Sequence, residues 1–211
     1  MPETLASSSG ASPWINVTAD QICGVHTNVV RSCRTLVANR WVRVFRATDR
    51  TGYDIAFGEW RPTRRLTELE LGPPGRTTIR VKGEWLAYAV SNPHEAASAM
   101  VSLLRMREGE GAGWIAADGI EVGSPGVTDL ALTRSGIVAW IVEGRFVFVP
   151  NWADERPTGV SLSRAVFAVP GPGDEPVLLA AGSLIQPRSL VAAHGRIYWR
   201  QDGSTRTFAT P

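Results

Sequence analysis

The sequence predicts an all-β fold of short antiparallel strands, and three observations carry that reading. A cassette of strand, glycine-bearing turn and aromatic-ended strand occurs three times, as Thr78-Ile-Arg-Val-Lys-Gly-Glu-Trp-Leu-Ala-Tyr88, Asp129-Leu-Ala-Leu-Thr-Arg-Ser-Gly-Ile-Val-Ala-Trp140 and Ser189-Leu-Val-Ala-Ala-His-Gly-Arg-Ile-Tyr-Trp199. Short apolar runs rich in Val, Ile, Trp and Phe fill the rest, broken by glycine, proline and polar clusters. Near the end, Asp202-Gly203 sits between Ile197-Tyr-Trp199 and Thr205-Arg-Thr-Phe208. That is a hairpin signal, because both residues of such a turn take positive φ.

Taken in order, Val42-Arg-Val-Phe45 alternates like a half-buried strand, and Tyr53-Asp-Ile-Ala-Phe57 follows the turn Asp49-Arg-Thr-Gly52. After the first cassette, Ser91-Asn-Pro-His-Glu95 has the cap, proline and acid of a helix start. The reading adopted there is a loop with at most one helical turn, followed by a strand from Met100 to Arg107. Arg145-Phe-Val-Phe-Val149 and Arg164-Ala-Val-Phe-Ala-Val169 are further strands. Pro170-Gly-Pro-Gly-Asp-Glu-Pro176 is an exposed loop.

The turn glycines Gly83, Gly136 and Gly195 are 53 and 59 residues apart, and Asn39 marks a fourth turn 44 residues before Gly83. Units of that size with about four strands each are the pattern of propeller blades. The expected fold is therefore a small β-propeller of about four antiparallel blades over residues 21–211, with residues 1–20 a polar, poorly ordered segment. The last blade holds three strands, and the segment Val25 to Arg31 is expected to close it and remove an exposed edge. A β-sandwich is the alternative fold. Trp41, Trp85, Trp140 and Trp199 are assigned to one strand face, packed between blades.

Composition narrows the function classes. The chain has 44% hydrophobic and 20% charged residues and a net charge of +2. That is globular, with no field suited to nucleic acid or an anionic membrane. No apolar run reaches the ~18 residues of a transmembrane helix. The first dozen residues lack the basic and apolar regions of a secretory signal. Cys23 and Cys33, ten apart, fit neither a redox Cys-x-x-Cys motif nor a zinc site. A disulfide and two buried thiols both fit, and the pair leans the localisation slightly toward a secreted or cell-envelope setting over the cytoplasm.

The three cassettes, in particular Arg80-Val-Lys-Gly-Glu-Trp-Leu-Ala-Tyr88, Leu132-Thr-Arg-Ser-Gly-Ile-Val-Ala-Trp140 and Ala192-Ala-His-Gly-Arg-Ile-Tyr-Trp199, resemble repeats of WD40-like and bacterial-lipoprotein-like β-propellers. The last hairpin is similar to those of small propeller-like proteins of actinobacteria. The Gly-His and Trp-Asp pairs of a true WD40 blade are absent. The resemblance implies a fold and a binding habit, and brings over no catalytic residue.

No nucleophile elbow, phosphate loop or calcium loop occurs, and no cofactor or metal is expected. In a propeller the loops between units share one face, around the mouth of a central channel. That face would hold Arg76, His94, Glu95 and Arg188, the candidate ligand-binding residues. The expected function is a non-catalytic binding module for a protein or glycan. Its alternatives are a hydrolase or lyase with carboxylates at the channel mouth, and a partial propeller completed by a partner chain.

Overall fold

The computed structural model describes residues 19–23, 30–51, 53–71, 77–91, 99–117, 126–147 and 161–209. It forms two compact units, Met1–Glu70 and Leu71–Pro211, divided just before the Gly72-Pro-Pro-Gly75 stretch. The fold is all-β, with four antiparallel sheets, none of which closes on itself.

The first unit is one sheet of four strands in chain order, β1 (Val30–Ala38), β2 (Val42–Asp49), β3 (Asp54–Trp60) and β4 (Arg65–Leu69), preceded by a single helical turn, α1 (Ala19–Cys23). Short polar side chains make its turns. The Asn39 carboxamide oxygen accepts the N–H groups of Trp41 and Val42, both at 2.7 Å. The Asp49 carboxylate accepts the N–H groups of Thr51 and Tyr53 at 2.8 and 2.9 Å. Both arrangements are local substitutes for backbone pairing, the reason Asn and Asp favour turns. Ala19 and Ile22 of α1 pack on Phe45, Ala47, Phe57 and Leu66, and the Phe45 and Phe57 rings stack at 5.4 Å. A disulfide joins Cys23 to Cys33 and ties the helical turn to β1.

The second unit holds three sheets. The second sheet is β5 (Thr77–Lys82), β6 (Trp85–Ser91), β7 (Ala99–Arg105) and β8 (Glu110–Ala117); the third is β9 (Gly126–Leu132), β10 (Val138–Val147), β11 (Ser161–Val169) and β12 (Val177–Ala181). The fourth has three strands, β13 (Val191–Ala193), β14 (Arg196–Gln201) and β15 (Ser204–Phe208). Each is a simple meander. Trp85, Ala87, Val101 and Leu103 of the second sheet pack on Leu130, Val138, Trp140 and Phe167 of the third. On its other face, Ala139, Ile141, Val166 and Ala168 pack on Ile197 and Trp199 of the fourth and on Ile185 and Leu190 of the segment that leads into it. Covered on both faces, the third sheet has unbroken buried runs, Ile137–Val142 and Ala165–Val169, in place of alternation.

The hairpins follow turn chemistry. His194-Gly195 has φ of 51° and 72°, and Asp202-Gly203 has 51° and 67°. Each pair joins directly facing residues, Ala193 to Arg196 and Gln201 to Ser204, as two-residue turns with both φ positive require.

Three expectations change. Residues 145–147 are the end of β10 and not a strand of their own, and Phe148 and Val149 lie outside the described residues. Val30 and Arg31 belong to β1, where Val30 faces Asp49 of β2, so that end of the Val25–Arg31 segment is already used within the first sheet. The four tryptophans do not share a face. Trp140 and Trp199 point toward the preceding sheet and Trp85 toward the following one, while Trp41 is 36% exposed and stacks on Trp60 at 5.7 Å. Counting from the glycine misleads because the turns differ in length: Gly83 opens a two-residue turn, whereas Gly136 is fourth of the five residues between Leu132 and Val138. The helix start at Ser91–Glu95 lies mostly outside the described residues.

Candidate functional site: a cleft between the leading strands

The first strands of successive sheets in the second unit lie side by side and border an open cleft of about 510 Å³. Thr77, Thr78, Ile79 and Arg80 line it from β5, Thr128 and Asp129 from β9, and Arg188 and Leu190 from the approach to β13. Its volume falls in the range of small-ligand sites.

Asp129 organises this cleft. It opens the apolar run Leu130-Ala-Leu132 and is only 7% exposed. Its Oδ1 accepts the N–H of Leu130 at 2.9 Å, and its Oδ2 accepts that of Leu190 at 2.8 Å. The Arg80 guanidinium lies 3.6 Å from Oδ1. One buried carboxylate thus links β9 to β5 and to the segment that leads into β13, with its charge balanced by a half-exposed arginine, as a buried charge demands.

Arg188 lines the same cleft. It occupies the left-handed region, with φ of 58°, directly after Pro187 in the turn Gln186-Pro187-Arg188-Ser189. Proline followed by positive φ is the pattern of a type II turn, whose third position normally takes glycine or asparagine. The turn is held firmly: Gln186 N–H donates to Arg200 O at 2.9 Å, and the Ser189 hydroxyl donates to Gln186 O at 2.6 Å. The same hydroxyl accepts the N–H of Arg200 at 3.1 Å. The exposed Arg188 side chain makes no hydrogen bond or ion pair among the described residues.

A neighbouring cleft of 400 Å³, lined by Arg164, Leu184, Ile185 and Gln186, differs in kind. There Arg164 is engaged by the Glu143 carboxylate and donates to Ser183 O and Ile185 O, each at 3.0 Å. Its donors brace the fold.

Of the residues singled out from sequence, Arg188 lines the first cleft, whereas Arg76, His94 and Glu95 lie outside the described residues. His194 is an exposed turn residue. No cluster of three or more His, Cys, Asp or Glu suited to a metal occurs among the described residues. Asp129, Arg80 and the threonines escaped the sequence reading. The available signal was a carboxylate in mid-strand, directly before the apolar run Leu130-Ala-Leu132.

No family model matches the chain. No curated protein sequence matches it significantly. A solved structure from a study titled as a structural and mechanistic analysis of two prolyl endopeptidases aligns over 86% of this chain with 14% identity and a TM-score of 0.33. This chain spans 34% of that protein. Similarity at that level carries neither fold nor activity across.

Proposed function

We propose that this chain is a non-catalytic binding module of the small-propeller kind, its meander sheets serving as blades, which recognises a protein or glycan through the cleft at Thr78, Asp129 and Arg188. The observation that carries the reading is Arg188, an exposed cleft-lining residue on a braced turn whose side chain is without a partner among the described residues. Asp129 is the one carboxylate among the described lining residues, and its oxygens already accept two main-chain N–H groups. A pair of carboxylates, as acid and base catalysis on a glycosidic bond uses, is not assembled by these residues.

A second reading, a partial ring completed by a partner chain, is favoured by one feature. The fourth sheet has three strands where the others have four, and Ser204–Thr207 on its edge strand are exposed. The test is affinity capture from the native organism with wild-type protein and a Thr78→Trp variant that fills the cleft. Partners lost with Thr78→Trp, at an unchanged thermal midpoint, support the cleft. Capture of every partner by both proteins refutes it.

A further inference from the structure

Within the cleft reading, and resting on it, we propose a specific ligand chemistry: Arg188 captures a side-chain carboxylate from an acidic peptide segment of a partner protein. Three observations converge. The first is backbone strain. An arginine at φ 58° stands where a type II turn favours glycine. A non-glycine residue held in that region is disfavoured, and such positions collect at ligand clamps. The Ser189 hydroxyl and the pairing of Gln186 with Arg200 fix this turn to β14. The guanidinium therefore stands on a prepared backbone.

The second is charge. Arg80 and Asp129 face each other at 3.6 Å and offset one another, which leaves the positive charge of Arg188 as the surplus among the described lining residues. One surplus positive charge matches a carboxylate better than a phosphate dianion. The planar fork of arginine suits two-oxygen recognition of a carboxylate.

The third is the wall. Thr77, Thr78, Ile79, Thr128 and Leu190 are its remaining described lining residues, short polar and aliphatic, with the Thr128 hydroxyl already donating to Ile141 O at 3.4 Å. No aromatic ring lines the cleft among the described residues, so a sugar face finds no flat platform there. A peptide carrying Asp or Glu among short side chains fits this lining.

The test is fluorescence anisotropy with a labelled hexaglutamate peptide against wild type, Arg188→Gly, Arg188→Lys and Arg206→Gln. Arg188→Gly removes the guanidinium while supplying the residue that the turn favours, so its thermal midpoint should hold or rise. Arg206 is exposed on β15 and does not line the cleft, so Arg206→Gln controls for lost net charge. The expected results are binding that weakens with salt, a loss of about tenfold or more with Arg188→Gly, a smaller loss with Arg188→Lys, and none with Arg206→Gln. The proposal is overturned if wild type fails to bind hexaglutamate at millimolar concentration, if hexaglutamine binds as well, or if Arg188→Gly and Arg206→Gln behave alike. Tighter binding of oligogalacturonate or of inorganic phosphate also overturns it, in favour of a glycan or a phosphate. If cleft-filling Thr78→Trp abolishes partner capture while Arg188→Gly does not, the carboxylate proposal falls and the cleft stands. If Thr78→Trp changes nothing, the cleft itself falls.

Discussion

The Asp129 carboxylate accepts the main-chain N–H of Leu190 at 2.8 Å, across 61 residues of sequence and from the third sheet to the residue just before the fourth. Leu190 is itself buried, so its amide has little recourse to water once that acceptor is gone. A buried donor left unpaired costs about 1–3 kcal/mol, and Arg80 loses its counter-charge in the same step. Asp129→Ala is therefore expected to destabilise the second unit by about 2–3 kcal/mol, measured by urea unfolding. Hydrogen exchange gives the sharper readout. The Leu190 amide should lose protection before the Ile197 amide does, and equal protection in wild type and variant would remove the role assigned to Asp129.

Gly136 is expected to tolerate no side chain. Its φ is +88°, and a Cβ there would lie 2.8 Å from Cε2 and 2.9 Å from Cζ2 of Trp85. The tryptophan is buried between two sheets and cannot swing aside. Gly195 supplies the comparison, with φ of +72° and open space around its Cβ position. Gly195→Ala should cost about 1–2 kcal/mol through backbone strain alone. Gly136→Ala should add about 1–3 kcal/mol of overpacking. A double variant with Trp85→Phe should recover part of that excess, and a strictly additive cycle would show that the ring is not what the methyl meets.

These two sites also mark how far the sequence could be read. Turn chemistry is local, so His194-Gly195, Asp202-Gly203 and the Asn39 turn were legible from residue type. Sheet class followed from the apolar runs between them. The faces of Trp85 and Trp140 were less accessible, because strand register depends on turn length and one glycine can open, close or sit inside a turn. Asp129 and Arg80 were hidden for another reason. Their pairing spans two sheets, and nothing near Asp129 in sequence announces a cation from β5. The place of Arg188 between repeats is visible in the sequence, but its left-handed backbone is held by the hydrogen bonds of Gln186 and Ser189.

The Cys23–Cys33 disulfide closes a short loop that holds α1 against the first sheet. A five-residue helical turn has no stability of its own, so its position depends on this link, on the packing of Ala19 and Ile22 and on the Asp20–Arg64 ion pair at 2.7 Å. Cys33→Ser, or reduction, is expected to lower the stability of the first unit by about 2–4 kcal/mol, on a model in which the cross-link restricts the unfolded chain. Urea unfolding followed by exchange at the Phe45 and Phe57 amides would measure it. A shift below about 0.5 kcal/mol would mean that the hydrophobic seat of Ile22 suffices without the bond.

The first unit should also carry an acid-sensitive contact at Asp54. The Thr48 hydroxyl donates to its Oδ1 at 2.6 Å, and Arg46 lies 3.2 Å from its Oδ2. The hydroxyl first, and the guanidinium after it, favour the ionised form and hold the carboxyl below its ordinary value of 3.8. A folded-state value below the unfolded one gives stability that is present in full well above pH 3.8 and lost as pH falls through the folded value. Asp54→Asn should thus be less stable than wild type at neutral pH, and the gap should narrow steadily in acid below that point. Thr48→Val should raise the Asp54 titration midpoint, followed by the carboxyl carbon resonance, and so should loss of Arg46. A gap between wild type and Asp54→Asn that stays constant from pH 7 down to pH 2 would show that the ionised carboxylate contributes nothing through these two donors.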